Sequence, residues 1–113
     1  MTKLHDRPFE PVSDNDNPIE QSIFEQYKEE LPGWQWAQYN ELNVVEKLYS
    51  CDDFEAAMRQ AQSVAELAES YDHHPMIIIE WDKTRIRWWT HTIDGVHLND
   101  LVLAAKTEML LTR

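Results

Sequence analysis

Two of the chain's five histidines are adjacent, His73 and His74, and stand directly before Pro75. An imidazole exchanges its proton near neutral pH, ligates metals, and as a cation suits the C-terminal end of a helix. His91 follows, and Glu69, Asp72 and Asp100 supply carboxylates in the same region. Neighbouring side chains in an extended segment point to opposite sides, so His73 and His74 do not readily share one metal ion. No H-x-x-x-H or C-x-x-C spacing supports zinc either. Three readings stay open on the residues alone, the least supported being a metal site that joins one of the pair to His91, His97, Glu69 or Asp100. The His-His-Pro run is a helix cap, or several imidazoles face one pocket and perform acid-base chemistry without a cofactor.

The elements that must position these residues follow from periodicity. Pro75 pushes His74 out of helical geometry, so a helix should end just before the pair. Phe54, Ala57, Met58, Ala61, Val64, Ala65 and Ala68 recur at helical spacing up to Tyr71, and Asp52 with Glu55 offers an N-terminal capping box. After the pair, "MIIIEW" and "TRIRWWTHT" are β-branched and aromatic runs joined at Asp82 and Lys83, which predicts a hairpin. Alternation through the second run puts Ile86, Trp88 and Thr90 on one face and Arg85, Arg87, Trp89 and His91 on the other. Upstream, Asn17, Pro18 and Glu20 form another capping pattern, predicting a helix that ends at "LPG", residues 31–33. "WQWAQY" and "LNVVEKLY" predict a first hairpin turning near Asn40 and Glu41. Apolar positions 98, 101, 102 and 105 predict a closing helix from Leu98 to Leu111. The order α-β-β-α-β-β-α predicts an α+β fold, a four-stranded antiparallel sheet with helices packed on one face. Residues 1–16 are polar with two prolines and are expected to be a flexible extension outside the core; residues 17–113 form the domain.

At 113 residues one core is expected, and 42% apolar against 27% charged residues is a composition that folds. A formal charge of −11 disfavours nucleic acid and anionic membrane as direct partners. The single Cys51 forms no internal disulfide, and the first 18 residues hold no apolar leader run, so a cytoplasmic location is expected.

The run "ESYDHHP", then Trp81, "THT" with His91, and Asp100 resembles the signature of the pterin-4a-carbinolamine dehydratase family. That signature has Glu, three residues, His, His or Asn, and a small residue or Pro, then an aromatic residue, a His and an Asp. Glu69, His73, His74, Pro75, Trp81, His91 and Asp100 match it in turn. The resemblance runs from about Leu31 to Lys106 and includes "PGW" and "DF". It implies a lyase that dehydrates 4a-hydroxytetrahydrobiopterin to quinonoid dihydropterin, with the pterin as substrate and neither metal nor bound cofactor. It also implies that His73, His74 and His91 are the catalytic residues, His73 and His91 as the acid-base pair and His74 binding and orienting the pterin and contributing to the proton relay. Glu69, Asp72, Pro75, Trp81 and Asp100 would then bind substrate or support these groups, with Glu69 one helical turn before His73 and able to orient it. A homodimer or homotetramer is implied as well. The alternative is a non-enzymatic module on the same fold with a protein partner, of the transcription-factor dimerisation or Rubisco assembly type. This chain departs from the family in its long N-terminal extension, in His97 where a Ser or Thr cap is usual, and in the bulky Trp89, which would narrow a pocket beside His91.

Overall fold

The computed structural model describes residues 2–112. Helix α1 (Gln21–Gln26) leads into strands β1 (Gln35–Tyr39) and β2 (Leu42–Ser50), helix α2 (Phe54–Tyr71), strands β3 (Met76–Glu80) and β4 (Lys83–Trp88), and helix α3 (Leu98–Leu111). The α+β reading and the element order hold.

The strands form one antiparallel sheet in the order β1-β2-β4-β3. Asn40 and Glu41 both take positive φ, 49° and 67°, as a two-residue turn of the mirror-image kind requires, and they set Tyr39 opposite Leu42. Register between the hairpins places Val45 beside Trp88 and Tyr49 beside Thr84. Helix α2 packs on β3 and β4, and α3 on β2 and β4. The face they cover carries Val45, Tyr49, Ile86 and Trp88, all in the core with Val64, Ala68 and the buried side of α3. The opposite face is polar where Glu46 takes both Arg85 and Arg87, at 2.9 and 2.6 Å.

Four local expectations change. Helix α1 does not begin at the Asn17-Pro18-Glu20 pattern; it starts at Gln21 after an N-cap without a side-chain bond. Tertiary contacts outcompete the local cap there: Ile19 N–H bonds Val96 O at 2.8 Å, and Pro18 lies so close to Gly95 that a Cβ on that glycine would stand 2.8 Å from the proline Cβ. Helix α2 is capped by Asp53, not Asp52, through a 2.8 Å bond from Ala56 N–H. Strand β4 stops at Trp88, and Thr90 pairs only with Gly95, so His91 opens a 3₁₀ turn (His91–Ile93) and does not continue the alternation. The N-terminal extension is not excluded from the core: Leu4 is fully buried, and the 3₁₀ turn Leu4–Asp6 packs on α3.

Candidate active site

Helix α2 ends with Asp72 in the left-handed conformation, φ 49°, which an aspartate tolerates at a helix C-terminus. His73 N–H closes that end on Ala68 O. Asp72 therefore terminates the helix and is exposed, and no described hydrogen bond or ion pair joins its carboxylate to a histidine. The reversal carries His74 back over the last turn of α2, where Nε2 meets Glu69 Oε1 at 2.6 Å in the open. Glu69 thus holds His74, not His73 as its spacing suggested.

His73 turns the other way. Its Nε2 donates to Asp100 Oδ1 at 2.7 Å; the imidazole side chain is 11% exposed and the carboxylate 0%. The two adjacent histidines do point apart, onto different carboxylates from different helices. Asp100 sits in the first turn of α3 and accepts three hydrogen bonds in all: Oδ2 accepts from Thr90 Oγ1 at 2.7 Å and from His97 N–H at 2.9 Å. His97 is the cap of α3 in spite of its unusual type, its Nδ1 accepting from Asn99 N–H at 3.0 Å. A carboxylate only accepts, so the His73 tautomer that fits carries its hydrogen on Nε2, and Nδ1 has no hydrogen-bond partner among the described residues. The imidazole also lies nearly parallel to the Trp88 indole, 14° off with centroids 5.8 Å apart.

His91 is exposed on its 3₁₀ turn, and its ring leans on Trp89 at 4.8 Å. Trp89 is 7% exposed and is packed from another side by Tyr39 at 5.9 Å; its indole N–H has no partner among the described residues. The indole therefore does fill space beside His91. Among the described hydrogen bonds none joins two of the three histidines; Asp100 relates only His73 and His91, holding His73 at one oxygen and Thr90, next to His91, at the other, while His74 stays on Glu69. Pro75 stands half-buried before β3. Trp81 is not brought to this group. It is 70% exposed at the β3–β4 turn, at the far end of β3 from His73, so it is neither a buried strand residue nor a wall of the site.

Two neighbours escaped the sequence reading. Trp88 reads as core, and nothing in strand periodicity marks it as the platform for an imidazole. Phe9, in the polar extension, sets its ring edge-on to His73 at 5.5 Å and 61°. A cavity of about 510 Å³ opens elsewhere, between Arg7, Glu10, Tyr27, Leu98 and Asn99, and none of the three histidines lines it. No helix among the described residues is long and apolar enough to cross a membrane.

Residues 17–110 match the family model described as pterin 4 alpha carbinolamine dehydratase. A protein of Chlorobium luteolum, provisionally named as such a dehydratase, is 39% identical over 93 residues, 82% of either chain. One of Microcystis aeruginosa with the same provisional name is 32% identical over 108 residues, 96% of this chain and 93% of that one. Among solved structures, a transcriptional coactivator/pterin dehydratase from Brucella melitensis superposes with a TM-score of 0.72 at 24% identity, covering 83% of this chain and 98% of that one. A pterin dehydratase-like protein identified as a RuBisCO assembly factor in the alpha-carboxysome shares the fold at TM-score 0.59 and 15% identity, covering 74% and 94%. The fold, the run from Glu69 to Asp100 and the match over nearly the whole chain agree, and the chain belongs to the pterin 4 alpha carbinolamine dehydratase family.

Proposed function

We propose that the chain dehydrates a 4a-hydroxytetrahydropterin to the quinonoid dihydropterin and water, in support of tetrahydrobiopterin recycling. The observation that carries this reading is the enclosed His73–Asp100 pair, because acid-base catalysis needs an imidazole fixed in one tautomer with its other nitrogen free. In the reaction the C4a–O bond breaks, the departing oxygen takes a proton and leaves as water, N5 gives its proton to a base, and a C4a=N5 double bond forms. His73 and His91 are the acid and base of this proposal, and His74, held by Glu69, orients the ring. Each positioned proton transfer contributes roughly 10²- to 10⁴-fold. No resident metal or cofactor enters the proposal, and the cytoplasm is its compartment.

The test generates the 4a-hydroxypterin in situ and follows formation of the quinonoid product. The wild type should outrun the spontaneous reaction, and His73→Ala and His91→Ala should each lose roughly 10²-fold. A wild type no faster than the uncatalysed reaction would overturn the reading.

A further part of the proposal is self-association through α2, where Phe54 and Met58 stand exposed one helical turn apart. Light scattering after size exclusion should give a dimer or tetramer that Met58→Glu weakens. The same exposed residues would serve the alternative, a protein-binding module, which a folded but inactive wild type with an intact partner surface would favour.

A further inference from the structure

The family match begins at residue 17, yet a segment ahead of it reaches the candidate catalytic imidazole. Phe9 stands edge-on to His73 and also packs on Tyr71, with centroids 5.4 Å apart. His73 is thereby bounded by Phe9, by the parallel face of Trp88 and by the Asp100 carboxylate. The two rings flank the imidazole on different sides while Nε2 is held by Asp100.

The segment is anchored on both sides of Phe9. Leu4 is fully buried and its N–H donates to Glu30 Oε1 at 2.8 Å. Lys106 Nζ donates to His5 O at 2.7 Å. Asn99 then clamps the backbone of Glu10 twice, accepting from its N–H at 2.9 Å and donating to its carbonyl at 2.7 Å. Asn99 is buried and immediately precedes Asp100, so consecutive residues at the start of α3 fix the segment and the imidazole. Burying Leu4 would suffice to lay a tail on α3; a two-bond clamp one residue from Phe9 also sets where that ring stands.

We infer that Phe9 is a positioning residue for His73. It keeps the imidazole on Asp100 with Nδ1 turned to the substrate, without touching substrate itself. The inference rests on the reading of His73 as an acid-base group. An imidazole released to other rotamers is in reacting geometry only part of the time, and small misplacements cost up to about 10²-fold in rate.

The experiment compares full-length wild type, Phe9→Ala and Phe9→Leu in turnover, in thermal unfolding and in the NMR signals of the His73 ring without pterin. Phe9→Ala should lower kcat roughly 10-fold with KM within about 2-fold, and Phe9→Leu, which keeps apolar bulk, should recover most of the rate. The His73 ring ¹⁵N shifts, which respond to the tautomer far more than to the lost Phe9 ring current, should move toward a mixture of tautomers in Phe9→Ala while those of His91 stay in place. A raised KM at unchanged kcat would make Phe9 a substrate contact and overturn the inference. So would a lowered Tm with kcat and the His73 signals unchanged. The NMR arm needs no turnover, so in a wild type without dehydratase activity, His73 ring ¹⁵N shifts that keep the single Nε2–H tautomer in Phe9→Ala overturn the positioning role and a mixed tautomer upholds it.

Discussion

Asp100 Oδ2 and Thr90 Oγ1 lie 2.7 Å apart in the interior, so the carboxylate that holds His73 also holds the residue next to His91. The candidate site is thus tied together by a group that need not touch the substrate. Thr90→Val keeps the shape and removes that donor. It should cost about 1.5–3 kcal/mol in stability, the range for a hydrogen bond to a charged group, because a buried carboxylate loses one of its partners. Urea unfolding of the variant beside the wild type measures this, and an unchanged midpoint would show the bond to be idle.

Asp100→Asn keeps the size of the side chain and changes its chemistry. An amide has one acceptor oxygen where the carboxylate uses two, so either His73 Nε2–H, or Thr90 Oγ1–H and His97 N–H together, is left facing an N–H₂ group. A buried group left unpaired costs about 1–3 kcal/mol, and the tautomer of His73 is no longer set. The expected result is a folded protein with a lower unfolding midpoint and a kcat down by roughly 10²-fold or more. A variant with full kcat would show that the pair does not prepare His73 for proton transfer.

The two adjacent histidines should respond unequally to loss of their carboxylates. Glu69 and His74 pair in solvent, where such contacts are worth about 0–1 kcal/mol. Glu69→Gln should leave the unfolding midpoint almost unchanged and, if His74 orients the pterin, raise KM with kcat little altered. Steady-state kinetics on Glu69→Gln and Asp100→Asn side by side separate an orienting pair from a proton-transfer pair.

Much of this arrangement was readable in the sequence, and the parts that were not have local reasons. Strands β3 and β4 and the Asn40-Glu41 turn announce themselves because period two and turn chemistry are properties of a few consecutive residues. The divergence of His73 and His74 was legible for the same reason. Which carboxylate each one meets was not, because that depends on the left-handed Asp72 and on the docking of α3. Trp81 satisfies the motif yet stands in solvent, since the strand ends one residue before it. Leu4 and Phe9 are single apolar residues in a polar, proline-containing stretch, where no period exists to reveal that α3 and His73 lie waiting for them.

Tyr49 gives the fold an alkaline limit. Burial, and then its 2.5 Å hydrogen bond to Glu108 Oε1 and the charge of that carboxylate, push the phenol pKa well above its ordinary value. The folded chain keeps a proton that the unfolded chain releases above about pH 10, so Tyr49's contribution is full below that pH and is lost as pH rises beyond it. The slope from this one group approaches about 1.4 kcal/mol per pH unit. Tyr49→Phe lacks the titrating group. The stability difference between wild type and variant, measured by urea unfolding at about pH 8 and about pH 11, should therefore shrink or change sign at the higher pH. An equal difference at both would mean that Tyr49 is free to ionise in the folded state.

Gly95 and Pro18 offer the sharpest test of how the N-terminal region docks. A Cβ at position 95 would stand 2.8 Å from Pro18 Cβ and 3.0 Å from its Cγ, both in a rigid ring, so one backbone must move. The strand-end bridge between Thr90 and Gly95 resists movement on one side, and the Ile19–Val96 bond resists it on the other. Gly95→Ala should therefore destabilise by about 1–3 kcal/mol, the range for overpacking. Pro18→Gly removes the opposing atoms at the cost of a freer unfolded chain, about 0.4–1 kcal/mol. If contact with Pro18 is the cause, the double variant should be more stable than the sum of the two single losses predicts, with a coupling of about 1 kcal/mol in a double-mutant cycle. Strict additivity would place the strain elsewhere in the Thr90–Gly95 turn. The same turn carries His91, so Gly95→Ala should also lower kcat, and Pro18→Gly should restore part of that rate along with the stability.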